Sequence, residues 1–430
     1  MLTNRSGRLT RRSFLASTVT RVSALGILKP FMSSVAATQT AEKLPPVRQL
    51  TKGPKFHWFG YYDKFQFSAD DRFVLGNEVA FEGRSPTADD RIKVGMVDLE
   101  DHDRWSELGE TRAWNWQQGC MLQWLPGSKD EVVWNDREGD RFVTRVMNIK
   151  TRKVRTLPSP SYNFSPDGKW SIAPDFRRLN DCRPGYGYAG LPDPNRESSA
   201  PEDAGIWRME MASGKTKLLF SFADAVKLPY TGKKESEFLP GAKHWFNHLL
   251  FNPDGTRFFF LHRWRNPGET PFHTRAFTCD VEGKEWFCID PYGATSHFIW
   301  RDPSHIMAWA WHPSHGERFY LYEDRTSNVE VVGLDDMTQN GHNTYLPGTD
   351  NQWVLNDTYP DAQRNQHPYL YHIKSRRKVP LGHFRSPPEY TGEWRCDTHP
   401  RASRNGKWVC IDSPHQGGRQ MFLIDLKGLT

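Results

Sequence analysis

The chain contains no CxxC pair and no zinc-ribbon spacing, and it lacks the GxSxG, HExxH and P-loop motifs. These absences remove the thiol-redox, zinc-finger, serine-hydrolase, zincin and nucleotide-hydrolase readings. Cys120, Cys182, Cys279, Cys288, Cys396 and Cys410 are scattered, and a chain of 430 residues does not depend on disulfides for stability. Acidic and basic charge are also in balance once the first residues are set aside. Residues 1–37 hold six basic residues and no acidic ones, which leaves 51 basic against 51 acidic in the remainder. A neutral protein lacks the basic surface that nucleic-acid phosphates require, so no nucleic-acid partner is expected.

That first segment reads as an address. Leu9-Thr10-Arg11-Arg12-Ser13-Phe14-Leu15 has the form of a twin-arginine export motif, a mostly apolar stretch follows, and Val35-Ala36-Ala37 offers small residues for cleavage. Residues 1–37 are therefore expected to be a signal peptide, with residues 38–430 a single domain. The mature chain is expected in the periplasm or outside the cell, with no membrane span.

What the chain has in abundance is one phrase. An aromatic residue, a tight turn carrying Pro, Asp, Asn or Gly, and a block of β-formers recur in seven places, beginning at Lys64, Met121, Ser161, His248, His297, His342 and His399. KFQFSADDRFVLG, SYNFSPDGKWSIA and HLLFNPDGTRFFFL are representative. Each phrase predicts two strands joined by a turn, and two further strand-like pieces follow each one. Four short strands repeated seven times predict an all-β fold: a seven-bladed β-propeller with four-stranded antiparallel blades. The last blade is one strand short, so a strand near residues 45–60 is expected to close the ring.

The register carries the functional signal. Three residues before the aromatic position stand Lys64, Met121, Ser161, His248, His297, His342 and His399, so four successive blades place histidine at one equivalent position. The first strand of each blade lines the central channel, and these imidazoles are expected to converge at its mouth. Converging neutral imidazoles suit a divalent transition metal, and an imidazole left over suits proton transfer. The connections between second and third strands open on the same mouth. They bring Arg177, Arg178, Arg183, Tyr186 and Tyr188 from a long insertion in blade three, His262, Arg263 and Arg265 from blade four, and Tyr359 from blade six. Arginine forks bind carboxylates bidentately and aromatic rings lie flat on sugars, so an acidic carbohydrate is the expected ligand. His248, His297, Arg263 and Tyr188 are the expected catalytic groups. Arg177, Arg178, Tyr186, Arg265 and Tyr359 are the expected substrate contacts, and His297, His342 and His399 the expected metal ligands.

The repeated xFSPDG phrases resemble those of the TolB-like propellers, and within them the chain is similar to the oligogalacturonate lyase family of polysaccharide lyases. That resemblance implies β-elimination on a uronate-containing oligosaccharide, a divalent metal of which manganese is the first choice, and no organic cofactor. It puts His342 and His399 on the metal and His297 or His248 at the proton. The family's last-blade pattern Gln-x-x-His-x-His reads Cys396-Asp397-Thr398-His399-Pro400-Arg401 here, so two of its ligands are missing. His297 with Asp397 or water completes the site, or the arginines neutralise the acid without metal. Two other readings stay open: a glycoside hydrolase using Asp357, Glu393, Asp397 or Asp412, and a non-catalytic propeller that binds glycan or protein.

Overall fold

The computed structural model describes residues 42–430, so the export segment 1–37 lies outside the described residues. Leu44–Thr430 form one unit, built of seven four-stranded antiparallel sheets. No helix among the described residues is long and apolar enough to cross a membrane.

The turn phrase has a physical basis. In SADD, SPDG and SRNG the serine hydroxyl accepts the first N–H of the second strand: Phe73 N to Ser68 Oγ at 2.9 Å, Trp170 N to Ser165 Oγ at 3.0 Å and Trp408 N to Ser403 Oγ at 3.0 Å. Asn252 Oδ1 does the same for Arg257 N at 3.0 Å. A short polar side chain thereby satisfies a backbone donor that the turn would otherwise orphan.

The sheets pack face to face around an axis, so second strands are buried on both sides. In Arg257–Arg265, Phe258 and Phe260 join a cluster with Phe220 and Phe246, while Phe259 and Leu261 join Phe298 and Trp300 of the next blade. The alternation is the two-residue period of a strand serving two neighbours at once. It explains why this strand reads as a continuous apolar run.

Ring closure follows the expectation. Val47–Gln49 pairs antiparallel with Gln420–Asp425 and supplies the outer strand of the blade that begins at Arg401–Ala402. Blade one differs from its expected form. Its innermost paired strand is Phe56–Trp58, with Phe67 returning to bridge Val74, and between them the chain leaves the sheet. Gly60, at φ 120°, begins this excursion, where a Cβ would sit 2.7 Å from the Gln118 carbonyl carbon. The Asp412 carboxylate accepts the N–H groups of Phe59 and Gly60 at 3.2 Å, and the Tyr62 hydroxyl both donates to Phe298 O and accepts from Phe298 N. Residues 59–65 are thus fastened across the channel, and Tyr61 and Tyr62 form the floor of the histidine site.

Three residues expected on a connection belong to a strand end instead: Arg257–Arg265 includes His262, Arg263 and Arg265. The long insertion of blade three carries an unforeseen helix, Phe176–Cys182, capped by the Asp175 side chain.

Candidate functional site

Four innermost strands bring the register histidines together. The ring centroids of His297 and His342 are 4.2 Å apart, as are those of His342 and His399, and Tyr61 and Tyr62 pack against the group from below. His248 stacks on Tyr61 at 4.9 Å. It is not at the start of its strand, because Lys243–Phe251 begins five residues earlier; it is the extra residue of a bulge between Asn247 and Leu249. His248 at φ 51° and His399 at φ 39° both occupy left-handed backbone, a conformation costing on the order of 1 kcal/mol for a non-glycine residue and concentrated at functional sites.

The nitrogens are arranged asymmetrically. His342 Nδ1 donates to the Asp357 carboxylate at 2.9 Å, which leaves a lone pair on Nε2, and that Nε2 is buried without a hydrogen-bond partner. His399 Nε2 is likewise buried and unpartnered. One nitrogen from each ring and a carboxylate oxygen of Asp397 lie within 4.8 Å of one another. Two orphaned imidazole nitrogens beside a carboxylate fit a divalent transition metal, and the Asp357–His342 pair is the outer support such ligands ordinarily have. His297 completes the neighbourhood: its Nδ1 donates to the Asn340 side-chain oxygen at 2.9 Å, directing Nε2 toward Tyr359 at 3.5 Å. Burial, reinforced by the proximity of His342, holds His297 and His399 neutral; burial opposes charge on His342 as well, but Asp357 outweighs it. Asp357→Asn should leave the fold intact and weaken metal affinity about 10- to 100-fold, measured by competition with a chelator.

A second group of residues is cationic. Arg263 is buried with Nε and Nη1 unpartnered, and Arg183 and Arg265 each carry a buried, unpartnered Nε. Among the described residues no carboxylate forms an ion pair with any of the three. Phe272 lies under both Arg183 and Arg263, at 4.4 and 4.9 Å. Burial, reinforced by Arg183, lowers the Arg263 guanidinium to about 9. Burial, followed by the charges of Arg263 and Arg183, holds His248 neutral.

Two chain segments roof the site. Gly185 lies against Glu393, where an added Cβ would come within 2.8 Å, and Arg395 links the two by donating to the Tyr186 hydroxyl at 2.8 Å and to Asp397 at 2.8 Å. Gln117 holds the second segment by donating to the Glu393 and Arg395 carbonyls.

The expected residues divide accordingly. His248, His297, His342, His399, Arg263, Tyr186 and Tyr359 meet at the mouth, with Arg265 on its edge, donating to Cys182 O at 3.3 Å. Three expectations are corrected. Arg178 spends all five N–H groups inside the protein, on His244 O, Asp193, Asn195 O, Ser198 O and Ser199 O, and pins the insertion to blade four. Arg177 is closed on Asp175 by two hydrogen bonds, 3.0 and 2.7 Å. Tyr188 faces the core, stacked on Phe176 at 4.2 Å with its hydroxyl taken by the Asn135 amide at 2.9 Å. Arg178→Met should destabilise the protein by about 3–5 kcal/mol in urea unfolding, because it strands Asp193 and four carbonyls. His262 also lies inside: Arg275 donates to its Nδ1 at 3.0 Å, so its Nε2–H donates to His244, and the pair is a neutral relay in the core.

Sequence reading missed Tyr61, Tyr62 and Arg395, and it left Asp397 undecided. It also left carboxylates open that the structure engages: Asp357 with His342 and Thr398, and Asp412 with Arg401 at 2.8 Å and the blade-one excursion.

No family model matches the chain, and no curated protein matches it. Among solved structures it is similar to an oligogalacturonate lyase in complex with manganese, with a TM-score of 0.64 at 14% identity over 90% of this chain and 94% of that one. It is also similar to an oligogalacturonate lyase from Vibrio parahaemolyticus, with a TM-score of 0.63 at 13% identity over 92% and 96% of the two chains. The chain therefore has the seven-bladed propeller fold found in the oligogalacturonate lyases.

Proposed function

We propose that the protein is a polysaccharide lyase-like enzyme that cleaves uronate-containing oligosaccharides by β-elimination at the histidine and arginine mouth, after export through the twin-arginine route. The observation that carries this reading is the unpaired buried charge of Arg263. An arginine without a carboxylate in a sealed, aromatic-lined site is costly, and the cost is recovered when a ligand supplies the carboxylate. The manganese named for the similar lyase supports the same reading, since the chain presents a nitrogen and oxygen donor set of its own.

Elimination needs the uronate carboxylate neutralised, the C5 proton taken and the C4 oxygen released. A divalent metal held by His342, His399 and Asp397, with His297 adjacent, would supply Lewis-acid neutralisation of the carboxylate. Arg263 and Arg183 orient the acid and stabilise charge that grows on it as C5 loses its proton. Phe272 and the packed rings of Tyr61 and Tyr62 exclude water, which strengthens each of these interactions.

The reading is tested by incubating the protein with polyuronates and with their carboxyl-reduced counterparts. Ultraviolet absorbance from unsaturated ends should rise with the acids alone. Silence across all polyuronates would sink the reading.

A further inference from the structure

Resting on that elimination reading, we propose that Tyr186 is the group that removes the C5 proton, its oxygen held as a phenolate between the guanidinium groups of Arg395 and Arg183.

Three geometric observations carry it. The Tyr186 oxygen receives an N–H of Arg395 at 2.8 Å, and the Arg183 guanidinium lies 4.5 Å from its ring centroid. Among the described residues no hydrogen bond takes the Tyr186 proton, so the oxygen faces donors and no acceptor. The ring stands edge-on to His248 at 5.6 Å, so Tyr186 packs directly against the histidine that the register brings to the site.

His248, the residue the register favours for this step, is already occupied. Gln118 Nε2 donates to the Tyr162 hydroxyl at 2.8 Å, so the Tyr162 proton goes to His248 Nδ1 at 3.1 Å. The remaining ring proton therefore sits on Nε2, directed at the Tyr61 hydroxyl at 3.3 Å. Both nitrogens are engaged, and no lone pair is left for a sugar proton. His297 turns its lone pair toward Tyr359 on the metal side.

Electrostatics agree with the geometry. Burial opposes ionisation of Tyr186, but Arg395 and then Arg183 outweigh it against the pull of Asp397, and the phenol falls to about 7. Arg263 adds to the cationic side, while Tyr61 and Tyr359 face the same oxygen as neutral phenols held high by burial. A base matched to neutral pH gains most from general-base catalysis. In the step, the phenolate oxygen takes the C5 proton, the C5–H electron pair becomes the C4–C5 double bond, and the C4–O bond breaks. The leaving oxygen takes a proton from water, and Tyr186 later returns its own to solvent.

The test combines ultraviolet titration of tyrosinate with kinetics on the full chain. Wild type should show one tyrosine ionising near neutrality that Tyr186→Phe lacks. Tyr186→Phe should lose about 10²- to 10⁴-fold in kcat with KM and metal content little changed. Arg183→Gln should move the spectral midpoint and the acid limb of the kcat profile upward together, and it keeps the test open should the phenylalanine variant fail to fold. A wild type without a near-neutral tyrosinate, or a Tyr186→Phe enzyme with undiminished kcat, would overturn the assignment while leaving the elimination reading standing. A near-neutral tyrosinate in a protein that yields no unsaturated product from any polyuronate would overturn elimination, and the base role with it.

Discussion

Alanine at both His342 and His399 should abolish metal binding and lower elimination by well over 100-fold, with the fold retained. The reasoning starts from hydrogen bonds. His342 Nε2 and His399 Nε2 have no protein partner, so their removal breaks no internal hydrogen bond on the side that faces the metal. His342 does lose its Asp357 contact, but Thr398 Oγ1 still donates to that carboxylate. Altering a supporting residue behind a metal ligand typically costs 10- to 100-fold in affinity, and removing two ligands of a three-donor set costs more. Metal content by elemental analysis and product absorbance should therefore fall together, while circular dichroism stays native. Core histidines serving only to fill space would give the reverse pattern: no stoichiometric metal in wild type and a large loss of stability in the variant.

Arg263→Met should separate function from stability. Each charge-assisted hydrogen bond to a substrate carboxylate contributes about 1.5–3 kcal/mol, so its loss should reduce kcat/KM by about 10- to 150-fold on acidic substrates. Thermal stability should rise, because the variant replaces an unpaired buried cation with an apolar chain of similar length. The sign with pH follows from the lowered pKa. Arg263 is charged in the folded protein below about 9, so the penalty is present in full at neutral pH and fades as pH rises through that value. The stability gain of the variant should shrink over the same range. A destabilised variant with unchanged kcat/KM would make Arg263 a structural residue.

Much of this was legible in the sequence, for identifiable reasons. The propeller was readable because each turn repeats the same side-chain-to-backbone hydrogen bond, which fixes a serine or asparagine at a constant offset from the second strand. That offset fixed the histidine register in turn: His297, His342 and His399 meet ring to ring, and Tyr61 packs between His248 and His399. What escaped was whatever breaks the repeat. Tyr61 and Tyr62 lie on a seven-residue departure from the innermost strand, residues 59–65, where no phrase could place them. Within the blade-three insertion, Tyr186 and Tyr188 are equivalent by composition and two residues apart, yet one faces Arg395 and the other Phe176. Arg177 and Arg178 sit on a helix of only seven residues; Arg177 closes on the N-cap Asp175, while the partners of Arg178 include His244, a chain position that no spacing rule connects to it. Arg395 pairs locally with Asp397, but its contact with Tyr186 exists only once two distant segments meet.

The most direct test of the central claim is mass spectrometry of the fragments released from a defined acidic oligosaccharide. Elimination at this mouth predicts that the fragment from the new non-reducing end is lighter by one water than its hydrolytic counterpart. Fragments carrying that water, or an uncut oligosaccharide in the presence of added manganese, would contradict it.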